Sequence, residues 1–229
     1  MERIAEEILE QLQTEDAFSV EIMGRTIGIS ESVVVSWVVI GVVFIVCNIL
    51  TAGMKVRNIS RRQALAEFLV EKGENLVLGM VGEEGERYVP YLFSVLIYIG
   101  FSNCIGLFGF KPPTKDMNVT AALAIMSIIL VQAAAIRKKN IGGWLKSFTK
   151  PVALVTPINI LELGIKPLSL CMRLFGNVLG AFVIMELLKA IVPAVVPAVF
   201  SLYFDIFDGF LQAYVFVFLT GMYIKEALE

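Results

Sequence analysis

Five long apolar stretches, separated by short polar segments, dominate the pattern of hydrophobic and polar positions along the chain. They cover approximately residues 33–52, 88–110, 119–137, 168–190 and 198–224. An α-helix rises about 1.5 Å per residue, so about 20 apolar residues cross the ~30 Å hydrocarbon layer of a bilayer. The last two stretches exceed this length and predict two long, tilted helices. The pattern therefore predicts an all-α integral membrane protein with about five transmembrane helices.

Two shorter segments have apolar residues at helical spacing but too many charges to cross a membrane. Residues 4–12 place isoleucines and leucines on one side of a helix and acidic residues on the other, and residues 63–81 repeat this spacing. We expect the first to form an amphipathic helix on the membrane surface or on a partner, and the second to form an interfacial helix. Residues 1–32 would form an N-terminal segment, and residues 33–229 a single membrane domain.

Prolines and capping residues mark the expected helix ends. Pro112 and Pro113 should end the second span, because proline cannot continue a helix interior. Asp116 or Asn118 is suited to cap the third helix, a role that would by itself explain these polar residues in the outer turn. Pro167 is expected to break or kink the helix before the fourth span.

The distribution of charge predicts an orientation. Hydrophobic residues make up 57% of the 229 residues, and the formal net charge of -2 gives no indication of a nucleic-acid partner. Basic residues follow the first and third spans, namely Lys55, Arg57, Arg61 and Arg62, then Arg137, Lys138, Lys139, Lys146 and Lys150. The positive-inside rule places these loops in the cytoplasm, which puts the N-terminus outside and the C-terminus inside.

The cysteine and histidine content limits the possible chemistry. The three cysteines are widely spaced in apolar stretches, which predicts neither a disulfide framework nor a metal site. The chain contains no histidine, so no side chain titrates near neutral pH by its unperturbed pKa. We therefore expect any proton relay to use carboxylates, and we expect no cofactor.

Arg173 is the only strong base in the apolar stretch between Pro167 and Glu186. A guanidinium near the centre of a membrane costs about 2.5 to 3.5 kcal/mol on the translocon scale. If Lys166 marks the interface, Arg173 lies about 10 Å inside the hydrocarbon layer. The side chain could snorkel to the headgroups, but this depth favours a functional role.

A polar stripe on the last span complements this arginine. Ser201, Asp205, Asp208 and Gln212 are spaced i, i+4, i+7 and i+11, so they share one helix face. Counted from the outer end at about 1.5 Å per residue, the two carboxylates lead inwards to Gln212, which is level with Arg173.

Two half-paths for an ion that end at one cation would explain this stripe. Glu162 lies on the cytoplasmic side of Arg173 and would belong to the second path. A simple salt bridge from Arg173 to Asp208 that joins two helices is the alternative.

Small residues surround Arg173 on its helix. They are Ser169, Gly176, Asn177 and Gly180. Small side chains let another helix approach closely in a membrane. A partner helix could therefore meet Arg173, although packing within the chain would also explain the pattern.

Several of these segments resemble subunit a of the F-type rotary ATP synthase. They are Pro157-Ile158-Asn159 with Glu162, Lys166-Pro167-Leu168-Ser169-Leu170, Arg173-Leu174-Phe175-Gly176-Asn177, Gln212-Ala213 and the outer turn at 113–120. The resemblance extends from about residue 90 to the C-terminus. It implies a non-catalytic stator in a bacterial plasma membrane, whose partners are a ring of c subunits and the b subunits of the peripheral stalk. Arg173 would meet the ionised carboxylate of each c subunit.

The chain departs from the family pattern at two positions. Phe182 stands nine residues after the arginine, where members often carry glutamate, and Asp205 stands where they often carry histidine. We hypothesise that Asp205 replaces the missing glutamate in the outer half-channel. Glu186 is a further candidate for this relay.

Two other functional classes fit part of the pattern. A self-contained secondary transporter could use Arg173 as a substrate anion site, but we find no inverted repeat that would favour it. An intramembrane enzyme could use Asp205 and Asp208 as a dyad, yet their i, i+3 spacing on one helix fits a relay better. Both H⁺ and Na⁺ are compatible with the predicted paths.

Overall fold

The architecture is that of a helical bundle with a small hairpin near its N-terminal end. The structure is a computed structural model that describes residues 16–22, 25–55, 60–148, 155–191 and 195–229. Its regular elements in chain order are β1 (Asp16–Ile22), β2 (Arg25–Ser30), α1 (Glu31–Thr51), α2 (Arg61–Val81), α3 (Val89–Cys104), α4 (Met117–Ser147), α5 (Thr156–Ile191), α6 (Val195–Ser201) and α7 (Gly209–Leu228). Short 3₁₀ turns at Glu83–Tyr88, Ile105–Phe108 and Pro113–Lys115 and a π-helical segment at Leu202–Asp208 connect them.

Five helical stretches in the described residues are long and apolar enough to cross a membrane. They are Glu31–Thr51, Glu83–Phe108, Met117–Ser147, Thr156–Lys189 and Val199–Leu228. Large apolar side chains are exposed along them, as lipid contact requires; Phe44 on α1 is 68% exposed. The prediction of an all-α membrane protein with about five spans is confirmed, with the hairpin as an addition.

The N-terminal hairpin was not predicted from the sequence. Strands β1 and β2 pair antiparallel, from Asp16 opposite Ser30 to Ile22 opposite Arg25. A signal was present, because Phe18, Val20 and Ile22 alternate with polar residues at the period of a strand. The amphipathic helix predicted at 4–12 lies outside the described residues.

Helix α2 confirms that residues 63–81 are helical, as predicted. Ser60 caps its first turn, where the Gln63 N–H donates to the Ser60 hydroxyl at 3.3 Å. Val77 and Val81 are buried at the end that packs against α3 and α7, whereas Phe68 is exposed. One side of the helix is therefore covered by protein.

Two helix boundaries differ from the predictions. Helix α4 continues past position 137 to Ser147, through a local kink at Asn140, whose φ is 58°. Helix α5 begins at Thr156 and passes through Pro167 without a break, so the expected start at 168 was wrong. A long transmembrane helix tolerates an internal proline, because neighbouring groups and small local adjustments satisfy the released carbonyl.

Helix α7 packs at the centre of the bundle and contacts α2, α3, α4 and α5. Large buried side chains such as Leu92, Ile99 and Phe216 fill the contacts, and Gly221 and Ala213 allow close approach between helices. The packing fixes α5 and α7 side by side, which sets the positions of the polar residues that they carry.

Candidate functional site

Arg173 lies on an exposed face of α5. Its neighbours Gly176 and Asn177 on the following turn are also exposed, while Leu174 is buried against the bundle. Among the described residues, no hydrogen bond or ion pair involves Arg173. The alternative of a salt bridge from Arg173 to Asp208 is therefore wrong for this structure, and the Arg173 side chain is exposed.

A hydrogen bond joins α5 to α7 one turn beyond the arginine. The Asn177 side-chain amide donates to Gln212 Oε1 at 2.6 Å. Gln212 is only 2% exposed, and its Nε2 has no hydrogen-bond partner among the described residues. A buried N–H without an acceptor costs free energy, so this amide has unused capacity to donate. The structure thus pairs Gln212 with Asn177 and keeps it near the level of Arg173.

A cavity of about 550 Å³ opens between the turn after α3, helix α5 and the helix that precedes α7. Lys111, Lys189 and Gln212 are among the residues that line it. Phe182, Glu186, Asp205 and Asp208 also line the cavity. The sequence placed these residues on two separate spans, and the tertiary structure brings them to one space. Since water occupies about 30 Å³ per molecule, this volume is large enough for several waters.

The π-helical segment Leu202–Asp208 carries both aspartates of this cavity. The Ser201 hydroxyl donates to Asp205 Oδ2 at 2.5 Å. Gly106 makes room for the same carboxylate, because a Cβ at position 106 would lie 2.6 Å from Asp205 Oδ1. π-Helical turns are rare and occur frequently at functional sites. Sequence reasoning missed both the π-helical segment and the role of Gly106, since the pattern there is equally compatible with an α-helix.

A second cavity of about 270 Å³ lies towards the other end of α5. It is lined by Asn159, Glu162, Lys166 and Glu226, among others. Lys166 Nζ lies 3.5 Å from Glu162 and 3.0 Å from Glu226, so it joins α5 to α7. Glu162 and Glu186 flank Arg173 at about 16 Å and 20 Å along the helix, at about 1.5 Å per residue. The two cavities are therefore separated along α5, with Arg173 between them.

The polar residues of the outer turn have structural partners. The Asn118 N–H donates to Asp116 Oδ1 at 2.9 Å, and the Ser30 hydroxyl donates to Asp116 Oδ2 at 3.2 Å. Asp116 is buried and Asn118 is exposed, and neither lines the 550 Å³ cavity. Asp116 thus caps α4 as expected and also ties the hairpin to it.

Sequence comparison identifies the family of the chain. The family model described as "ATP synthase A chain" matches residues 33–225. The chain belongs to this family. It is 35% identical over 202 residues to ATP synthase subunit a of Moorella thermoacetica, an alignment that covers 87% of this chain and 91% of the relative. It is 34% identical over 208 residues to the chloroplastic ATP synthase subunit a of Oedogonium cardiacum, which covers 86% of this chain and 81% of that protein.

Membership in this family confirms the resemblance to subunit a of the F-type ATP synthase that the sequence around Arg173 indicated. The chain is an ion-translocating component of the membrane sector of an ATP synthase, and it belongs to a multi-subunit complex. The cavities and the exposed arginine described above are therefore candidates for the ion path of this component.

Proposed function

We propose that the chain forms two offset half-channels and transfers ions between them through carboxylates of a rotating c ring that pass Arg173. The observation that carries this proposal is the separation of two polar cavities along α5, with an exposed arginine between them. Neither cavity is lined by Arg173. An ion would therefore need a mobile carrier to pass from one cavity to the other.

The exposed face around Arg173 is suited to such a carrier. Gly176 is exposed beside the guanidinium and has open space where a Cβ would stand, so a neighbouring helix could approach. An unpaired guanidinium in a low-dielectric layer attracts an ionised carboxylate strongly. A carboxylate that reaches Arg173 would release its ion into one half-channel and take up the next ion after passing the arginine.

Arg173 also prevents leakage between the half-channels. Each charge that crosses the membrane releases about 2.3 kcal/mol per 100 mV, so an uncoupled ion would waste that energy. A fixed positive charge repels a free cation, but it pairs with an ionised rotor site. The same residue therefore blocks the leak and favours rotation.

The two cavities supply residues for the two half-channels. Asp205 and Asp208 would relay ions in the outer one, with Glu186 at its mouth. Glu162 and the adjacent Lys166 would line the inner one. Asn177 and Gln212 lie at the inner end of the outer path and would orient groups near Arg173.

This function assigns partners and a location to the chain. The exposed arginine face would meet the c ring, the b subunits of the peripheral stalk would contact other surfaces, and the N-terminus would lie outside the plasma membrane of a bacterium. The chain itself would catalyse no reaction. A secondary transporter is less consistent with the geometry, because a substrate site needs an enclosed arginine and Arg173 is exposed.

The test is Arg173→Ala in the assembled complex. We expect ATP-driven ion uptake by inverted vesicles to be lost and passive ion permeability of the membrane sector to remain or rise, because the barrier between the paths is gone. Arg173→Lys should restore little, since a point charge lacks the planar fork. Arg87→Ala, at an exposed position in the turn before α3, is the matched control. Coupled uptake by Arg173→Ala at the parental rate would refute the proposal.

A further inference from the structure

A lysine from the outer turn rests on an aromatic ring at the side of the 550 Å³ cavity. Lys115 Nζ lies 3.5 Å from the centroid of the Phe182 ring, which is the geometry of a cation–π contact. Lys115 ends the 3₁₀ turn at Pro113–Lys115, and Phe182 projects from α5. Phe182 lines the cavity, so the ammonium contacts a residue of the cavity wall.

Lys111, Glu186 and Lys189 line the cavity and are called the cavity mouth below. Lys111 and Glu186, together with Glu31 of α1, act electrostatically on the Lys115 ammonium. Glu186 on α5 pairs with Lys189 at 2.8 Å, and Lys111 in the preceding turn pairs with Glu31 of α1 at 3.4 Å. Asp116, the next residue in the chain, is engaged in capping α4. A change of one unit of charge at Lys115 therefore alters the electrostatic potential at the cavity mouth.

Lys115 also titrates in an accessible range. Burial, followed by repulsion from Lys111, lowers the pKa of Lys115 from 10.5 to about 8, against the attraction of Glu186 and Glu31. The ammonium is accordingly charged below pH 8 and becomes increasingly neutral as the pH rises above it. In a chain without histidine, this titration gives the mouth a response near physiological pH.

We propose that Lys115, held on Phe182 beside the charged mouth, controls how readily cations reach the outer cavity. A positive charge at the mouth lowers the local concentration of cations, and a neutral amine does not. The outer path is therefore restricted while Lys115 is protonated and opens when it is neutral. This inference rests on the proposed role of the cavity as the outer half-channel.

Two substitutions separate the charge from the side chain. Lys115→Met is neutral at every pH, and Lys115→Arg is charged at every pH. The rate of ATP synthesis by Lys115→Met should be several-fold higher than the parental rate at pH 7 and equal to it at pH 9. The rate for Lys115→Arg should equal the parental rate at pH 7 and be several-fold lower at pH 9. A purely structural role of Lys115 would give ratios that do not change with pH.

The measurement is ATP synthesis by the assembled complex in proteoliposomes, driven by a fixed potassium diffusion potential. The pH is varied only on the side that the outer cavity faces. Each preparation is measured at both pH values, so differences in the amount of assembled complex cancel. Because repulsion from Lys111 lowers the Lys115 pKa, Lys111→Met should move the pH step above pH 8. Lys138→Met, which removes a lysine paired with Glu84 away from this cavity, is the control and should show parental ratios at both pH values.

The inference would be overturned if the ratio of variant to parental rate were the same at pH 7 and pH 9 for both Lys115 variants. If Lys115→Met does not assemble, the ratio for Lys115→Arg decides alone. The outcome is distinguishable from failure of the proposed function, which Arg173→Ala tests separately. A complex that needs Arg173 but shows constant Lys115 ratios would retain the half-channels and lose only the control at the mouth.

Discussion

At the scale of single residues, the site combines an exposed cation with carboxylates inside a cavity. Arg173 has no partner among the described residues, whereas Asp205 accepts a hydrogen bond from Ser201. This contrast fits a division of labour in which Arg173 acts on a partner and Asp205 acts on ions within the chain. Gln212, buried and bonded to Asn177, links the two helices that carry Arg173 and Asp205.

The residue-level prediction concerns Asp205 and Phe182, which line the same cavity from two helices. Asp205→Asn should lower ATP-driven ion uptake by inverted vesicles several-fold, because an amide cannot take up and release the ion. Phe182→Glu in the same chain should restore part of the rate by supplying a carboxylate. The rescue is expected to be incomplete, since Lys115 would pair with the introduced group.

Glu84→Gln, at an exposed carboxylate paired with Lys138, is the control for loss of an acidic side chain. Parental uptake by Asp205→Asn would make the aspartate structural and leave Asp208 or Glu186 as the relay. Loss of uptake without any rescue by Phe182→Glu would show that the two positions do not share a path.

At the scale of elements, the π-helical segment before α7 determines where the two aspartates point. Leu202–Asp208 faces the turn after α3, and Gly106 in that turn leaves space for the Asp205 carboxylate. A side chain at position 106 would have to displace the carboxylate or the turn. The segment and the turn therefore form one unit that positions Asp205, the residue proposed for the outer relay.

Gly106→Ala tests this unit. Because the new Cβ would lie 2.6 Å from Asp205 Oδ1, the carboxylate must move, and we expect ATP-driven uptake to fall several-fold. Gly41→Ala, where a Cβ meets open space on α1, is the matched control. Immunoblots of the purified complex would confirm equal assembly. Equal uptake by the two alanine variants would contradict a positioning role for Gly106.

At the scale of the whole molecule, the two cavities lie towards opposite ends of α5, and each contains charged groups. On α7, Gln212 lines one cavity and Tyr223 lines the other, and the residues between them include the buried Phe216 and Val217. This separation is what two offset half-channels require. It also predicts that one cavity opens to each side of the membrane.

Cysteine labelling checks this orientation. In a background without the native cysteines, Lys111→Cys should react with a membrane-impermeant thiol reagent in intact cells, because its loop is expected outside. Lys138→Cys should react only in inverted vesicles, because the basic residues around it favour the cytoplasm. Labelling of Lys138→Cys in intact cells would reverse the predicted topology.

The sequence by itself determined the number of spans, the helix at 63–81, the cap at Asp116 and the family signature around Arg173. These features depend on local composition and spacing, which are readable without knowledge of contacts. Only the tertiary structure decided that Gln212 bonds to Asn177, that Asp205 lies against Gly106 and that Lys115 rests on Phe182. It also decided that α5 continues through Pro167 and that residues 202–208 are π-helical. The physical reason is that these outcomes depend on packing between segments far apart in the chain, and local patterns do not encode which side chains will meet.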